Sequence, residues 1–311
     1  MAVERSSGPF PFRRLTEGFS LRGVGLHSGR DCVLTVEPCD GGPLLRHEGA
    51  EMPLSRLGLV GTGRGSDYVF PDGHRVRTCE HVLSALVGLG AWGVRMTVEG
   101  PEMPALDGCA QRVAECVLDH SEPCGAGPEP FALAVPLRVG DESRFVAAFP
   151  SSGFCITCVV RYESPLIGTQ MLDLALEPGA YLEQVARART FAMEADLEAL
   201  RANGMALGGS LENAVLVGSG GIRAAGGLRW PDEFVRHKAL DLIGDLAAVG
   251  RPLCAHVVAV RAGHELHLTT LEDRILAHLV SRRGTVCTKE EIIRSVWGDE
   301  FTTPGTLTVH V

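Results

Sequence analysis

Residues 121–130, SEPCGAGPEP, divide the chain into two stretches that present their secondary-structure signals in the same order. The decapeptide is polar, rich in Pro and Gly and without periodicity, so it reads as a linker. Before it, strand-like segments DCVLTVEP (31–38), LSRLGLVGTG (54–63) and SDYVF (66–70) lead to a helix over TCEHVLSALVGLG (78–90). A strand over GVRMTVEG (93–100) and a helix from Asp107 to Leu118 follow. After it come strands LAVPLRVG, SRFVAAFP and FCITCVVRY, then a helix over 232–248, a strand AHVVAVRA and a helix from about Leu271 to Val280. Sheet, helix, strand, helix, twice over, predicts an α+β chain of two similar sheet-plus-helix-pair units. The two pack together as a two-layer sandwich, and a site is expected in the cleft between them. The expected bounds are 1–124 and 130–280, with an insertion over 187–216 and a short, mostly helical extension over 281–311. The insertion pairs a helical stretch carrying Met193, Leu197 and Leu200 with a Gly-rich turn and LENAVLV.

A formal net charge of −9 argues against general nucleic-acid binding, which needs a positive field, but leaves room for an anionic small molecule held by a few local cations. The N-terminal twenty residues hold no apolar run suited to a signal peptide, and no stretch approaches the roughly 18 apolar residues that cross a bilayer. The ten cysteines follow no framework spacing, so reduced thiols in a cytoplasmic chain are expected. The CITC pair sits in a strand, where Cys155 and Cys158 point to opposite faces, which disfavours a redox or metal role.

DEFVRHKALDLIGDL, 232–246, puts His237, Asp241 and Asp245 at i, i+4 and i+8 along one helix face, with Lys238 beside them. Val235, Leu242, Leu246 and Val249 mark a neighbouring face that must be buried. Unpaired ionisable groups at such a boundary cost several kcal/mol each, so these need partners. His237 and Asp241 either share a metal ion or form a solvated pair. In TCEH, Thr78 can cap the helix and Glu80 suits its positive first turn. Glu80 is then either a capping acid or a proton acceptor beside a metal-binding His81. His264, in RAGHELH at a strand end, is either a turn residue or a general acid oriented by Asp245. RGVGLHSGR holds His27 in a Gly-flanked loop that serves equally for close ligand approach or an ordinary hairpin.

GVGLHSG, TCEH, PEMPALDG, ARTF, LGGSLENA, DEFVRHKALDLIGDL and AGHEL, in that order between about residues 13 and 270, together resemble the zinc-dependent UDP-3-O-acyl-N-acetylglucosamine deacetylases, the committed enzymes of lipid A synthesis. The resemblance implies a Zn2+ cofactor on His81, His237 and Asp241, with a fourth position open to water. It implies Glu80 as general base, Thr190 assisting the metal at the oxyanion, and His264, oriented by Asp245, as acid for the departing amine. Lys238 and His27 would face the sugar or diphosphate of a UDP-linked acylated amino sugar. The 187–216 insertion, with Phe191, Leu197, Gly209 and Leu211, would hold the acyl chain in an apolar passage. A monomer is expected. The alternative is a non-catalytic regulatory or binding protein on the same scaffold.

The chain departs from the family at GTGRGSDYVF (61–70), at AMEAD (192–196), which sets charges beside the presumed passage, and at His267. Residues 271–311 resemble a truncated winged-helix effector domain of response regulators, with the tail as interaction module in the alternative reading. Five Lys or Arg against six Asp or Glu there predict no specific nucleic-acid binding.

Overall fold

The structure is a computed structural model that describes residues 11–61, 65–141 and 143–262. The first half opens with β1 (Phe12–Leu15) and the strands β2 (Phe19–Val24), β3 (Asp31–Pro38), β4 (Leu44–His47) and β5 (Ala50–Pro53). A ribbon of β6 (Gly58–Gly61), β7 (Ser66–Val69) and β8 (Arg75–Val76) leads to α1 (Glu80–Gly88), β9 (Val94–Glu99), α2 (Gln111–Asp119) and β10 (Ser121–Cys124). The second half runs β11 (Phe131–Ala132), β12 (Leu137–Gly140), β13 (Arg144–Pro150), β14 (Phe154–Arg161), β15 (Thr169–Ala175) and α3 (Pro178–Gln184). It continues with β16 (Phe191–Met193), α4 (Leu197–Ala202), β17 (Val215–Gly218), β18 (Gly221–Arg223), α5 (Glu233–Asp245) and β19 (Leu253–Ala262).

The two halves share one topology. The first sheet orders its strands 2-3-9-4-5 and the second 12-13-19-14-15. In each, the strand that follows the central helix lies in the middle: β9 pairs antiparallel with β3 and parallel with β4, as β19 does with β13 and β14. Alternation along β3 turns Cys32, Leu34 and Val36 inward and leaves their neighbours partly wet, as expected for a sheet with one covered face. The covered faces look toward each other across the helices. One continuous core joins Leu34, Val36 and Met96 of the first sheet to Val82, Leu86 and Val113 of its helices, then to Leu240, Ile243, Ile156 and Leu172 of the second half. The result is an α+β fold of two sheet-plus-helix layers meeting helix to helix.

Three sequence expectations need correction. The linker 121–130 begins as β10, because β1 supplies a backbone partner across Phe12–Leu15 and Arg13 donates to the Ser121 hydroxyl and carbonyl. The 187–216 region contributes strands as well as a helix: β16 pairs with β17, and β17 with β18. Thr78 is not the cap of α1. It stands at φ 54 with its hydroxyl donating to Glu102, and the residue before the helix is Cys79. The helix expected over Leu271–Val280 and the extension over 281–311 lie outside the described residues.

Candidate active site

Helices α1 and α5 cross between the sheets, and their crossing builds the site. α1 is buried on nearly every side, including Glu80 and His81 in its first turn. α5 is buried on its polar face as well as its apolar one: His237, Asp241 and Asp245 are buried along with Val235, Leu240 and Ile243, whereas Leu242 and Leu246 are only partly so. The helices approach so closely that a Cβ at Gly244 would lie 2.0 Å from the Glu80 carbonyl oxygen, so only glycine fits there. This contact sets the first turn of α1 against the middle of α5.

His81, His237 and Asp241 thereby converge, with one ligand atom from each lying within 4.8 Å of the others. The Asp241 Oδ1 atom is 3.3 Å from His237 Nε2 and 3.6 Å from His81 Nε2. Ligand atoms about 2.0–2.2 Å from a tetrahedral ion stand roughly 3.4 Å from one another, so these spacings fit one zinc-sized cation. Asp241 Oδ1 is buried with no hydrogen-bond donor among the described residues. The carbonyl of Ala188 lies 3.0 Å from His237 Nδ1 and can only accept, so Nδ1 carries the proton and Nε2 offers a lone pair. Lone pairs aimed at one buried point repel each other unless a cation occupies it. Burial pushes the His237 imidazole down to about 4, which keeps it neutral and ready to ligate. Burial alone would raise Asp241, but His237 and the Lys238 ammonium, 2.7 Å from Oδ2, hold it below the usual carboxylate range.

Glu80 adjoins this cluster. Burial, opposed by His81 and aided by Asp241, pushes its carboxyl above the ordinary carboxylate range. Its Oε2 accepts the Ser66 N–H at 3.0 Å, while the Ser66 hydroxyl donates to Asp245 Oδ1 at 2.5 Å. Ser66 thus ties the acid beside the cluster to Asp245 one helical turn away. His264, the expected partner of Asp245, lies outside the described residues.

Thr190 and Phe191 extend from Ala188 into an adjoining cleft with a cavity volume of about 190 Å³. Its walls bring together Phe191, Leu197, Gly209 and Leu211, the four residues expected around an apolar passage, with Thr190 and His27, which were expected at the oxyanion and at the sugar or diphosphate, and with Leu26, Leu200 and Arg201. Phe191 stands edge-on to His237 and 5.6 Å from Lys238 Nζ, so it marks the join between polar cluster and apolar cleft. The charges of AMEAD do not line the cleft: Glu194 pairs with Arg223 on β18, and Asp196 is absent from its walls. Cys155 and Cys158 are both buried on β14, and only Cys158 faces the core.

The family model for UDP-3-O-acyl N-acetylglycosamine deacetylase matches residues 13–277. The chain belongs to that family. A UDP-3-O-acyl-N-acetylglucosamine deacetylase of Anaeromyxobacter dehalogenans is 38% identical over 290 residues, covering 89% of this chain and 91% of its own. The protein of that name from Myxococcus xanthus is 37% identical over 262 residues, covering 82% and 83%. That of Chlamydia trachomatis serovar L2 is 36% identical over 278 residues, covering 86% and 95%. A second model, transcriptional regulatory protein, C terminal, matches residues 263–311, in line with the resemblance of the tail. No helix among the described residues is long and apolar enough to cross a membrane.

Sequence reasoning missed five residues that shape this site. Ser66 sits in an unremarkable strand, and the Ala188 carbonyl is a backbone group without a side-chain signal. Gly244 had a legible signal, since an interior helical glycine costs about 1 kcal/mol relative to Ala and needs a packing reason. The Arg189–Glu233 pair, 2.9 Å apart with both side chains buried, anchors the strand start that carries Thr190 to the start of α5.

Proposed function

We propose that this chain is a zinc-dependent amidohydrolase that removes the N-acetyl group from UDP-3-O-acyl-N-acetylglucosamine, the committed step of lipid A synthesis. The observation that carries the reading is the convergence of His81, His237 and Asp241 around an unsatisfied Asp241 oxygen, beside Glu80 and an apolar cleft. Those three residues would hold the ion, which supplies Lewis acidity and makes water a usable nucleophile near neutral pH. Glu80 takes the proton as water adds to the acetamide carbonyl, and the Thr190 hydroxyl stabilises the charge that develops on the carbonyl oxygen. His264, oriented by Asp245, supports proton delivery to nitrogen as the C–N bond breaks, leaving acetate and a free amine. Lys238 and His27 face the sugar and diphosphate. Phe191, Leu197, Gly209 and Leu211 hold the acyl chain.

In this reading the deacetylase comprises two half-domains, 1–124 and 130–280, acts as a cytoplasmic monomer and binds no specific nucleic acid. The C-terminal match over 263–311 favours one second reading, a regulatory protein on this scaffold with the tail as interaction module. Glu80→Gln separates them. With one zinc per chain retained, turnover of the UDP-linked substrate should fall by about 10²–10⁴-fold. Unchanged turnover refutes Glu80 as base, and a zinc-loaded wild type without turnover refutes the enzyme.

A further inference from the structure

Glu102 has no part in the chemistry above, yet it is fully buried and accepts hydrogen bonds from two separate segments. Its Oε1 accepts the His27 N–H at 2.9 Å and the Thr78 hydroxyl at 2.9 Å, while its Oε2 accepts the Ser28 N–H at 2.8 Å. Thr78 leads into α1, two residues before Glu80. His27 and Ser28 belong to the loop that forms one wall of the cleft. That loop is docked in turn on the second half: Leu207 N–H donates to the His27 carbonyl at 3.1 Å and Gly208 N–H to the Leu26 carbonyl at 3.1 Å. The Ala206 N–H lies 3.4 Å from His27 Nδ1. Ala206 and Gly209 are themselves cleft walls.

On the reading of the site given above, we infer that Glu102 is a positioning residue for substrate binding. It registers the His27 loop, and through it the 206–209 wall, against the start of α1. Only a carboxylate offers acceptors on both oxygens; the amide of Gln turns an N–H toward one of the two backbone donors and leaves it unpaired. Gly25 fits the same clamp, because a Cβ there would lie 2.4 Å from both Glu102 Oε2 and Ser28 Oγ.

The test is Glu102→Gln in the zinc-loaded full chain, with kinetics on UDP-3-O-acyl-N-acetylglucosamine, zinc content and amide hydrogen exchange. KM should rise by about tenfold or more, the equivalent of one buried donor left unpaired, with kcat within about threefold and zinc retained. Exchange in peptides covering 25–29 and 205–209 should quicken, and that of β9 should not. Unchanged KM, unchanged exchange at those two segments, or equal loosening of the whole first half overturns the assignment. Gly25→Ala, which pushes the carboxylate off the loop without removing its charge, should give the same pattern if the Gln variant does not fold. A wild type without turnover defeats the deacetylase reading alone, since the exchange measurement still reports on the clamp.

Discussion

Replacing Gly244 by Ala separates the contribution of helix crossing from that of the ligands themselves. The added Cβ would lie 2.0 Å from the Glu80 carbonyl oxygen, 2.7 Å from its carbonyl carbon and 2.8 Å from its Cα. All three are backbone atoms, so no rotamer change relieves the overlap. Real Cβ contacts begin near 3.0 Å, so the two helices must part by roughly 1 Å. Zinc bonds of about 2.0–2.2 Å tolerate only about 0.2 Å of error. His81 follows Glu80 directly and Asp241 lies three residues before Gly244, so that parting pulls apart the groups proposed to share one ion. Overpacking costs about 1–3 kcal/mol, offset by up to about 1 kcal/mol from the better helix propensity of Ala. The variant should therefore fold and bind zinc about 100-fold more weakly. Competition against a chromophoric chelator, alongside a circular-dichroism melt, measures both. A folded Gly244→Ala chain with wild-type zinc affinity refutes the reasoning.

Two further perturbations address groups around the site. Burial pushes the Asp67 carboxyl up to about 6 despite Arg77 and Arg75, whose nitrogens lie 3.9 and 3.6 Å away. A carboxyl raised on folding favours the native state while protonated, and that contribution is lost as pH rises from about 4 to about 6. The melting temperature of Asp67→Asn should accordingly climb relative to wild type across that window and level off above it; a pH-independent difference contradicts the assignment. Arg189 and Glu233 form a buried pair in which Glu233 also accepts the Arg229 N–H. Glu233→Ala leaves a buried cation uncompensated and should cost about 3–5 kcal/mol by urea unfolding, with less than about 1 kcal/mol contradicting that role.

Much of the architecture was legible because it repeats local signals. Period-two burial in β3 and the charged face of α5 are visible in neighbouring residues, and their order announces two similar halves. The α5 pair carried a weaker signal: charges on a face that must be buried require a partner, and His237 with Asp241 one turn away could share an ion or form a solvated pair, while His81 joined them in one ligand set only through the family resemblance. What the sequence hides is contact between distant segments. Ser66 meets Asp245 across 179 residues, and Glu102 meets His27 across 75, without any periodicity to link them. Thr78 shows how such a contact overrides a local rule: Thr before a helix suits a cap, but the Glu102 carboxylate draws its hydroxyl away. The strand at 121–124 has the same origin, since a polar, Pro-containing stretch pairs only because β1 lies alongside.

Zinc titration against turnover tests the shared-ion site most directly. The full chain, stripped by a chelator, should lose deacetylation of UDP-3-O-acyl-N-acetylglucosamine and regain it linearly, saturating at one zinc per chain. Asp241→Ala should fail to recover at the same stoichiometry. Full turnover by metal-free chain, or saturation unaffected by loss of Asp241, would contradict a catalytic ion held by His81, His237 and Asp241.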